Sequence, residues 1–412
     1  MLEKMIDQNP NIYLFNPTCE YAVANQNANW QANRILQKME SDLSSLSLFF
    51  SSKNDFVLVD TLPSPEFIAS LKQLKIDIPN FVLKNESLQN QQFINSPKNK
   101  LLPWGWSPAS HKFLAPLKKS CSSEFQHSPV FNWLPEHREI TSRKFALEVL
   151  TQLQLTVKND FILPAEKKPK ICTTQNDFED AIKLWEKVMI KVPWSSSGRG
   201  LQPITKTPVH PKVWEKVLGI VKEQGYALVE PLLKKALDLA LLFEIKKGKV
   251  EHLGNSYFYT NSKGQYEGNY LNGFPDTIDK AILDFADFMV GEIRQPLINA
   301  IENSKMATFY EGYFGVDTLV YFDKNKLKIN PCLEINVRYT MGLLALRLEK
   351  LISKNKKGIF STYFVPGKTF SDFKNDMEVK HPLKIVDNKI ESGFFILTEA
   401  RTDSLFGAYI LV

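Results

Sequence analysis

The chain has 412 residues, 43% of them hydrophobic and 23% charged, an ordinary globular composition spread over more chain than one compact core holds. Lys plus Arg exceed Asp plus Glu by 51 to 45, a net charge of +6. That excess is small for the length and forms no basic stripe, which disfavours nucleic-acid binding and leaves room for a small anionic ligand.

In chain order, IYLF (12–15) reads as a strand, NWQANRILQKM (29–39) as a helix and FVLV (56–59) as a second strand. PSPEFIASLKQL (63–74) follows as a Pro-initiated helix and FVL (81–83) as a third strand. Strand–helix–strand repetition of this kind implies a parallel, Rossmann-like α/β sheet. Residues 85–135, with PWGWSP and most of the local Pro and Ser, lack periodicity and read as loops around a boundary. Then come a helix at 141–154, a strand ICTT, a helix DFEDAIKLWEK and a strand VMIKVP. After a Gly/Ser loop, the helix PKVWEKVLGIVKEQG leads to the strand ALVEPLL. From Asp238 the pattern turns antiparallel, through DLALLFEI, VEHLG and YFYTNSKGQYEG. The long helix TIDKAILDFADFMVGEIRQPLINAIEN precedes the hairpin GYFGVDTLVYF–KLKINPCLEINV, and the carboxyl end alternates like strands around Asp387-Asn388.

Cys19, Cys121, Cys172 and Cys332 form no CxxC pair, and six scattered histidines show no ligand spacing, so no zinc site or disulfide framework is expected. No apolar run approaches a membrane span, and the segment MLEKMIDQNPN lacks the apolar core of a signal peptide. A reduced, cytoplasmic protein without a membrane partner is the expectation.

Four ionisable residues interrupt runs that otherwise read as buried strands: Lys191 in VMIKVP, Glu230 in ALVEPLL, Asp317 in FGVDTLVYF and Glu334 in CLEINV. A buried charge costs several kcal/mol unless it is paired or binds an ion. One such residue suits a strand edge; four in one region ask for a charged ligand.

The hairpin sharpens this. A two-residue turn at Lys324-Asn325 sets Asp323 opposite Lys326. The side-chain period of two then gathers Phe314, Val316, Thr318, Val320, Ile329, Leu333, Ile335 and Val337 on one face. Asp317, Glu334, Asn336 and Arg338 share the other. Two carboxylates and an amide oxygen suit Mg²⁺, usually held by a few carboxylates and phosphate oxygens. By itself the face reads equally as an exposed sheet surface with ordinary salt bridges. KVPWSSSGRG (191–200) places serines and glycines directly after the Lys191 strand, a plausible cover for phosphates, although bare Gly/Ser loops are most often turns. Neither a Walker A nor a GxGxxG fingerprint occurs.

Taken in order over roughly residues 140–345, these segments resemble the ATP-grasp superfamily. The resemblance implies ATP and two Mg²⁺ as cofactors, with Asp317, Glu334 and Asn336 holding the metals. Lys191, and Lys144 on the preceding helix, would contact phosphates beneath a loop of Ser195, Ser196, Ser197, Gly198, Arg199 and Gly200. Glu230 would end the adenine hinge, and Arg338 would stabilise the transferring phosphoryl group. Asp238 stands where many members carry Glu after the hinge strand. The implied organisation is a pre-ATP-grasp α/β domain (1–138), a small lid subdomain (139–235) and a large α+β subdomain with the metal site (236–370), completed by strands at 371–412.

The implied activity is ADP-forming ligation: a small-molecule or peptide carboxylate becomes an acyl-phosphate that an amine or other nucleophile attacks. Its rivals are a kinase, or carboxylase-type activation of bicarbonate, on the same fold, and a nucleotide-binding regulatory protein without turnover. The absence of a biotin-carrier segment lowers the carboxylase outcome, and the intact Asp317, Glu334 and Asn336 argue against a dead site. Elsewhere Asn16 and Glu20, in the loop after the first strand, either touch the acceptor or cap a helix. PWGWSP reads as a packing plug in preference to a cleft wall. His137, Arg138, Tyr257, Tyr259, Tyr266, Asn269 and Arg401 each carry a structural reading beside a site role.

Overall fold

The computed structural model describes residues 9–195, 200–261 and 264–412. Its amino-terminal part is a parallel sheet of β1 (Ile12–Leu14), β2 (Phe56–Val59), β3 (Asn80–Leu83) and β4 (Leu101–Pro103) in the order β3-β2-β1-β4. Helices α1 (Cys19–Asn25), α2 (Arg34–Asp42) and α3 (Pro65–Gln73) connect or flank its strands. Two of them begin where the side chains cap them: Asn33 accepts from Leu36 N, and Ser64 accepts from Phe67 N with Pro65 at the first helical position. The Asn33 cap is why α2 starts after the NWQA segment that the apolar pattern had included. The structure also corrects the reading of 85–135 as loops. β4 lies there, too short and too Pro-bounded to show a period, among several short helices.

The second unit is an antiparallel sheet of β5 (Lys170–Cys172), β6 (Val188–Lys191), β7 (Leu201–Ile204) and β8 (Ala227–Pro231), ordered β5-β8-β6-β7. Its helices α5 (Gln175–Trp185) and α6 (Pro211–Gln224) bury Phe178, Ala181, Ile182 and Val217 against Val188, Ile190, Ala227 and Val229, a core of its own. Helix α4 (Arg143–Thr156) precedes this unit, with Ser142 accepting from Phe145 N.

The third unit is an eight-stranded sheet. It comprises β9 (Lys234–Lys246), β10 (Lys249–Thr260), β11 (Tyr266–Leu271), β12 (Gly312–Asp323), β13 (Lys326–Asn336) and β14 (Gly358–Phe364), followed by the last two strands of the chain. Between β14 and those strands lies a separate two-stranded hairpin, β15 (Lys384–Val386) and β16 (Lys389–Ser392). β17 (Phe394–Ile396) and β18 (Phe406–Leu411) extend the large sheet beyond β14, in the order β13-β12-β9-β10-β11-β14-β18-β17. One face of β9, β12 and β13 presents Leu237, Leu239, Leu241, Phe243, Val316, Val320 and Ile329 to α4 and α7 (Lys280–Glu302). On α7 the buried Ala286, Met289, Val290, Ile293, Leu297 and Ile301 recur at helical spacing, so a single stripe seals that face.

The opposite face receives helix α8 (Met341–Leu348) and the amino-terminal sheet. One core runs from Tyr13, Phe15 and Val59 through Trp104 and Tyr339 to Leu344, Phe360 and Ile410, so the first and third units share their apolar interior. Trp104 is its hub, with Phe15, Phe50 and Tyr339 rings 4.8, 5.9 and 5.8 Å away. PWGWSP is therefore packing in its first tryptophan. No helix among the described residues is long and apolar enough to cross a membrane.

Candidate functional site

The β12–β13 hairpin carries the site. Asp323 pairs with Lys326 and Val320 with Ile329, as the turn at Lys324-Asn325 requires. Beyond Leu319↔Asn330 the register shifts, leaving Pro331, Cys332 and Leu333 opposite Thr318 alone. Pro331 has no N–H for the ladder, which is the local reason for a bulge, and its carbonyl accepts from Thr318 Oγ1 at 3.3 Å. Because the shift is by two residues, face parity survives it, and Asp317 sits directly opposite Glu334. Leu333 is only partly buried, whereas Phe314, Val316, Ile329 and Ile335 are core.

On the central strand β9, Ala240 and Asp238 neighbour Asp317 and Leu319 across the ladder, which brings Asp238 onto the acidic face. Lys235 Nζ contacts Asp238 Oδ2 at 2.7 Å, and burial raises the Asp238 carboxyl against that pull and the Lys191 charge. Burial, then the charge of Glu334, raises the Asp317 carboxyl, while Asn336 and Arg338 oppose the rise. Asp317 thus sits where the charge of the facing Glu334 opposes its own.

Three cationic side chains converge from different units. Arg143, at the start of α4, sets Nη1 at 2.8 Å from Glu334 Oε2. The same guanidinium donates through Nε to Val192 O at 3.0 Å and through Nη2 to Ser195 Oγ at 3.3 Å. Lys191, at the end of β6, pairs with Glu230 of β8 at 2.5 Å, both side chains largely buried. The pair is diagonal across the β6–β8 ladder, on the face opposite Ile190 and Val229. Arg338, just past β13, donates through Nε to Glu20 Oε1 at 2.6 Å, through Nη2 to Asn336 Oδ1 at 2.9 Å and through Nη1 to Tyr339 O at 3.0 Å.

Of the sequence-derived residues, Asp317, Glu334, Asn336, Arg338 and Asp238 lie together on one sheet face, and Lys191, Glu230 and Ser195 approach from the second unit. Lys144 does not. It is exposed, and its neighbour Arg143 is the residue turned inward. Helix capping carried the missing signal, since Ser142 as cap makes Arg143 the first helical residue. Ser196, Ser197, Gly198 and Arg199 lie outside the described residues. The ends of their loop meet: Val192 N donates to Gly200 O at 3.1 Å, and a Cβ on Gly200 would stand 2.3 Å from Ser195 Oγ.

The remaining candidates resolve into local roles. His137 Nδ1 accepts from Leu134 N at 2.9 Å, capping its own helix. Arg138 stacks on Trp194, 3.7 Å from the ring centroid, and Arg401 pairs with Glu399 at 3.0 Å. Tyr257 OH donates to Asp287 of α7 at 2.7 Å, which turns this phenol toward the helix layer and away from the acidic face. Tyr266 OH donates to Asn269 Oδ1 at 2.5 Å, and Tyr259 OH meets Ser361 Oγ at 3.4 Å. All four cysteines are free and buried.

Whether this donor set fits a metal follows from its chemistry. Among the described residues no three His, Cys, Asp or Glu side chains gather into an all-protein cage. Two opposed carboxylates and the Asn336 oxygen, which Arg338 already shares, suit a hard cation completed by phosphate oxygens.

No protein-family model matches the sequence, and no curated protein matches it significantly. Solved structures do resemble it. Biotin carboxylase from Campylobacter jejuni, in complex with β,γ-ATP, aligns over 98% of this chain and 87% of its own, at 12% identity and a TM-score of 0.50. Carboxyaminoimidazole ribonucleotide synthase from Aspergillus clavatus, complexed with ATP, aligns over 98% and 94%, at 11% identity and 0.49. N5-carboxyaminoimidazole synthetase from Staphylococcus aureus, complexed with ADP, aligns over 99% and 94%, at 13% identity and 0.48. At such identities the likeness concerns the backbone, and the first of these carries it: this chain has the ATP-grasp fold.

Proposed function

We propose that the protein is an ATP- and Mg²⁺-dependent ligase that activates a small carboxylate for attack by an amine or other nucleophile. The observation that carries this reading is the direct opposition of Asp317 and Glu334, with Arg143 on Glu334, Arg338 on Asn336 and the Lys191 charge acting on the neighbouring Asp238. Asp317, Glu334 and Asn336 would hold Mg²⁺, which when bound neutralises phosphate charge and polarises the transferring group. Lys191 and Arg143 would bind the nucleotide phosphates, beneath the 195–200 loop. Glu230 and Asp238 would lie toward the nucleoside. Arg338 would stabilise charge on the transferring phosphoryl oxygens. In this reading residues 1–138 are the pre-ATP-grasp domain, 139–235 the lid, and 236–370 with 371–412 the large subdomain.

The chemistry needs no nucleophilic side chain. Phosphoryl transfer is governed by positioning and charge neutralisation, and the site is composed accordingly. The test is Mg²⁺-dependent ADP release on addition of pooled amino acids and small carboxylates. Wild-type protein should respond, and Glu334→Gln should abolish the response. Release of AMP in place of ADP points to adenylation and overturns the proposal, as does undiminished turnover in Glu334→Gln.

A further inference from the structure

In the sheet order β3-β2-β1-β4 the chain runs outward from β1 to β3 and then returns to β4 on the other side of β1. The loops after β1 and β4 therefore flank a topological switch point, where open α/β sheets place functional groups. Here those loops are NPTCE and PWGWSP, and both converge on Arg338. Asn16 clasps Gly105 from both directions, donating to its carbonyl at 2.8 Å and accepting from its N–H at 3.3 Å. Tyr339 N donates to Trp104 O at 2.8 Å, which ties the chain beside Arg338 to the same loop. A Cβ on Gly105 would come within 3.2 Å of Arg338 Cβ. Glu20 completes the hold from the first turn of α1, taking the Arg338 Nε–H.

The contacts of the guanidinium fix its plane. One N–H on Nε, one on Nη1 and one on Nη2 are committed to Glu20, Tyr339 O and Asn336. A second N–H on each terminal nitrogen remains, and guanidinium donors of this kind suit phosphoryl oxygens. Glu20 does not use both of its oxygens in return. Its Oε2 is buried and has no hydrogen-bond partner, although the residue is only 8% exposed. An ion pair serving stability would gain more from a two-point contact, and buried pairs contribute little net stability even then. The single contact to Nε makes sense as an orienting one.

We propose that Glu20 is a positioning residue for phosphoryl transfer. By holding Nε of Arg338 it aims the remaining N–H groups, and so makes the amino-terminal domain part of the reacting centre. This inference rests on the nucleotide-dependent reading above, and the experiment separates the two. Calorimetry compares Mg·ADP with Mg·ADP plus aluminium fluoride, which mimics the transferring group, on wild type, Glu20→Gln, Glu20→Asp, Arg338→Met and the Glu20→Gln/Arg338→Met double variant. Glu20→Gln should weaken the fluoride complex by about tenfold or more while Mg·ADP affinity stays within about twofold. Glu20→Asp, whose shorter carboxylate draws back from Nε, should behave likewise and serves if the Gln variant does not fold. In the Arg338→Met background the Gln substitution should add nothing. Equal weakening of both complexes means a merely structural role and overturns the inference. So does additivity in the double variant, or a fluoride complex of wild-type strength in Glu20→Gln. A wild type that binds no Mg·ADP overturns the nucleotide reading itself, and the inference with it.

Discussion

Arg143 of α4 and Glu334 of β13 meet at 2.8 Å, with Arg143 only 5% exposed. Through Val192 O and Ser195 Oγ the same guanidinium also holds the segment that follows the Lys191 strand. One side chain thus ties the second unit to the acidic face of the third. Glu334 is 23% exposed, so removing Arg143 leaves a partly solvated charge uncompensated, a cost below the about 3–5 kcal/mol of a fully buried pair. Arg143→Met should therefore lower the unfolding midpoint clearly, and saturating Mg²⁺ should return part of the loss by neutralising Glu334. Lys144→Ala, at an exposed position, should leave both stability and nucleotide affinity near wild type. A thermal melt and a nucleotide titration in which the two substitutions traded places would remove Arg143 from the site.

Mg·ADP should stabilise the folded protein because it completes a set of opposed carboxylates that the unfolded chain does not offer. At a ligand concentration about a hundredfold above Kd the gain is about 2.7 kcal/mol. Asp317→Asn should remove most of that gain. The same change should stabilise the ligand-free protein slightly, since burial and Glu334 both work against a charged Asp317. Differential scanning calorimetry with and without Mg·ADP measures both effects. Equal ligand-induced shifts in wild type and Asp317→Asn would contradict the assigned metal face.

Much of this site was legible from strand parity. Asp317, Glu334 and Asn336 share a face because the alternation of apolar residues admits only that register or one displaced from it by an even number of residues. The bulge at Pro331 is such an even displacement, so the face was read correctly although the partner of Asp317 was not. Asp238 was named only through the resemblance, and it is the pairing of β9 with β12 that puts it on this face. Arg143 was not legible in this way. Its role depends on where α4 begins, a choice between adjacent residues that Ser142 decides by capping, and on a long-range contact that no local period encodes. The contact of Glu20 with Arg338 spans most of the chain, and β4 was too short to show as the fourth strand of the sheet read from β1 to β3. Local pattern specifies faces; the pairing of distant loops belongs to tertiary packing.

His111 gives the protein an acid-side sensitivity unrelated to the nucleotide site. Its ring stacks on Trp106 at 4.3 Å, Lys118 Nζ lies 2.9 Å from Nδ1, and Nε2 is buried without a partner. Burial, then the Lys118 charge, lowers its pKa from 6.5 to about 3. The folded state therefore prefers neutral His111, and between these values the unfolded chain binds more protons. Stability should be intact above the unfolded value and fall as pH drops from about 6.5 towards 3, by at most about 1.4 kcal/mol per pH unit from this group. His111→Gln should flatten the dependence of urea midpoints on pH between 7 and 5 relative to wild type. An unchanged slope would remove His111 from the account.

Gly105 offers a packing test of the loop that holds Arg338. A Cβ at this position would stand 2.3 Å from Cys19 Sγ, and its backbone is not in the left-handed region, so the constraint is space and not backbone conformation. Both groups are fixed by neighbours: Asn16 bonds Gly105 on two sides, and Cys19 is 4% exposed at the start of α1. The clash cannot be relieved by a flexible chain end. Gly105→Ala should therefore destabilise by about 1–3 kcal/mol, the usual range for an overpacked interior. Cys19→Ala deletes the nearest atom and leaves Cys19's own Cβ position at 3.1 Å, tight but adjustable. The double variant should recover much of the loss, giving a favourable coupling of about 1 kcal/mol in a double-mutant cycle read by urea unfolding. Strict additivity would show that the loop yields elsewhere, and that Cys19 does not set the distance at which PWGW rests against Arg338.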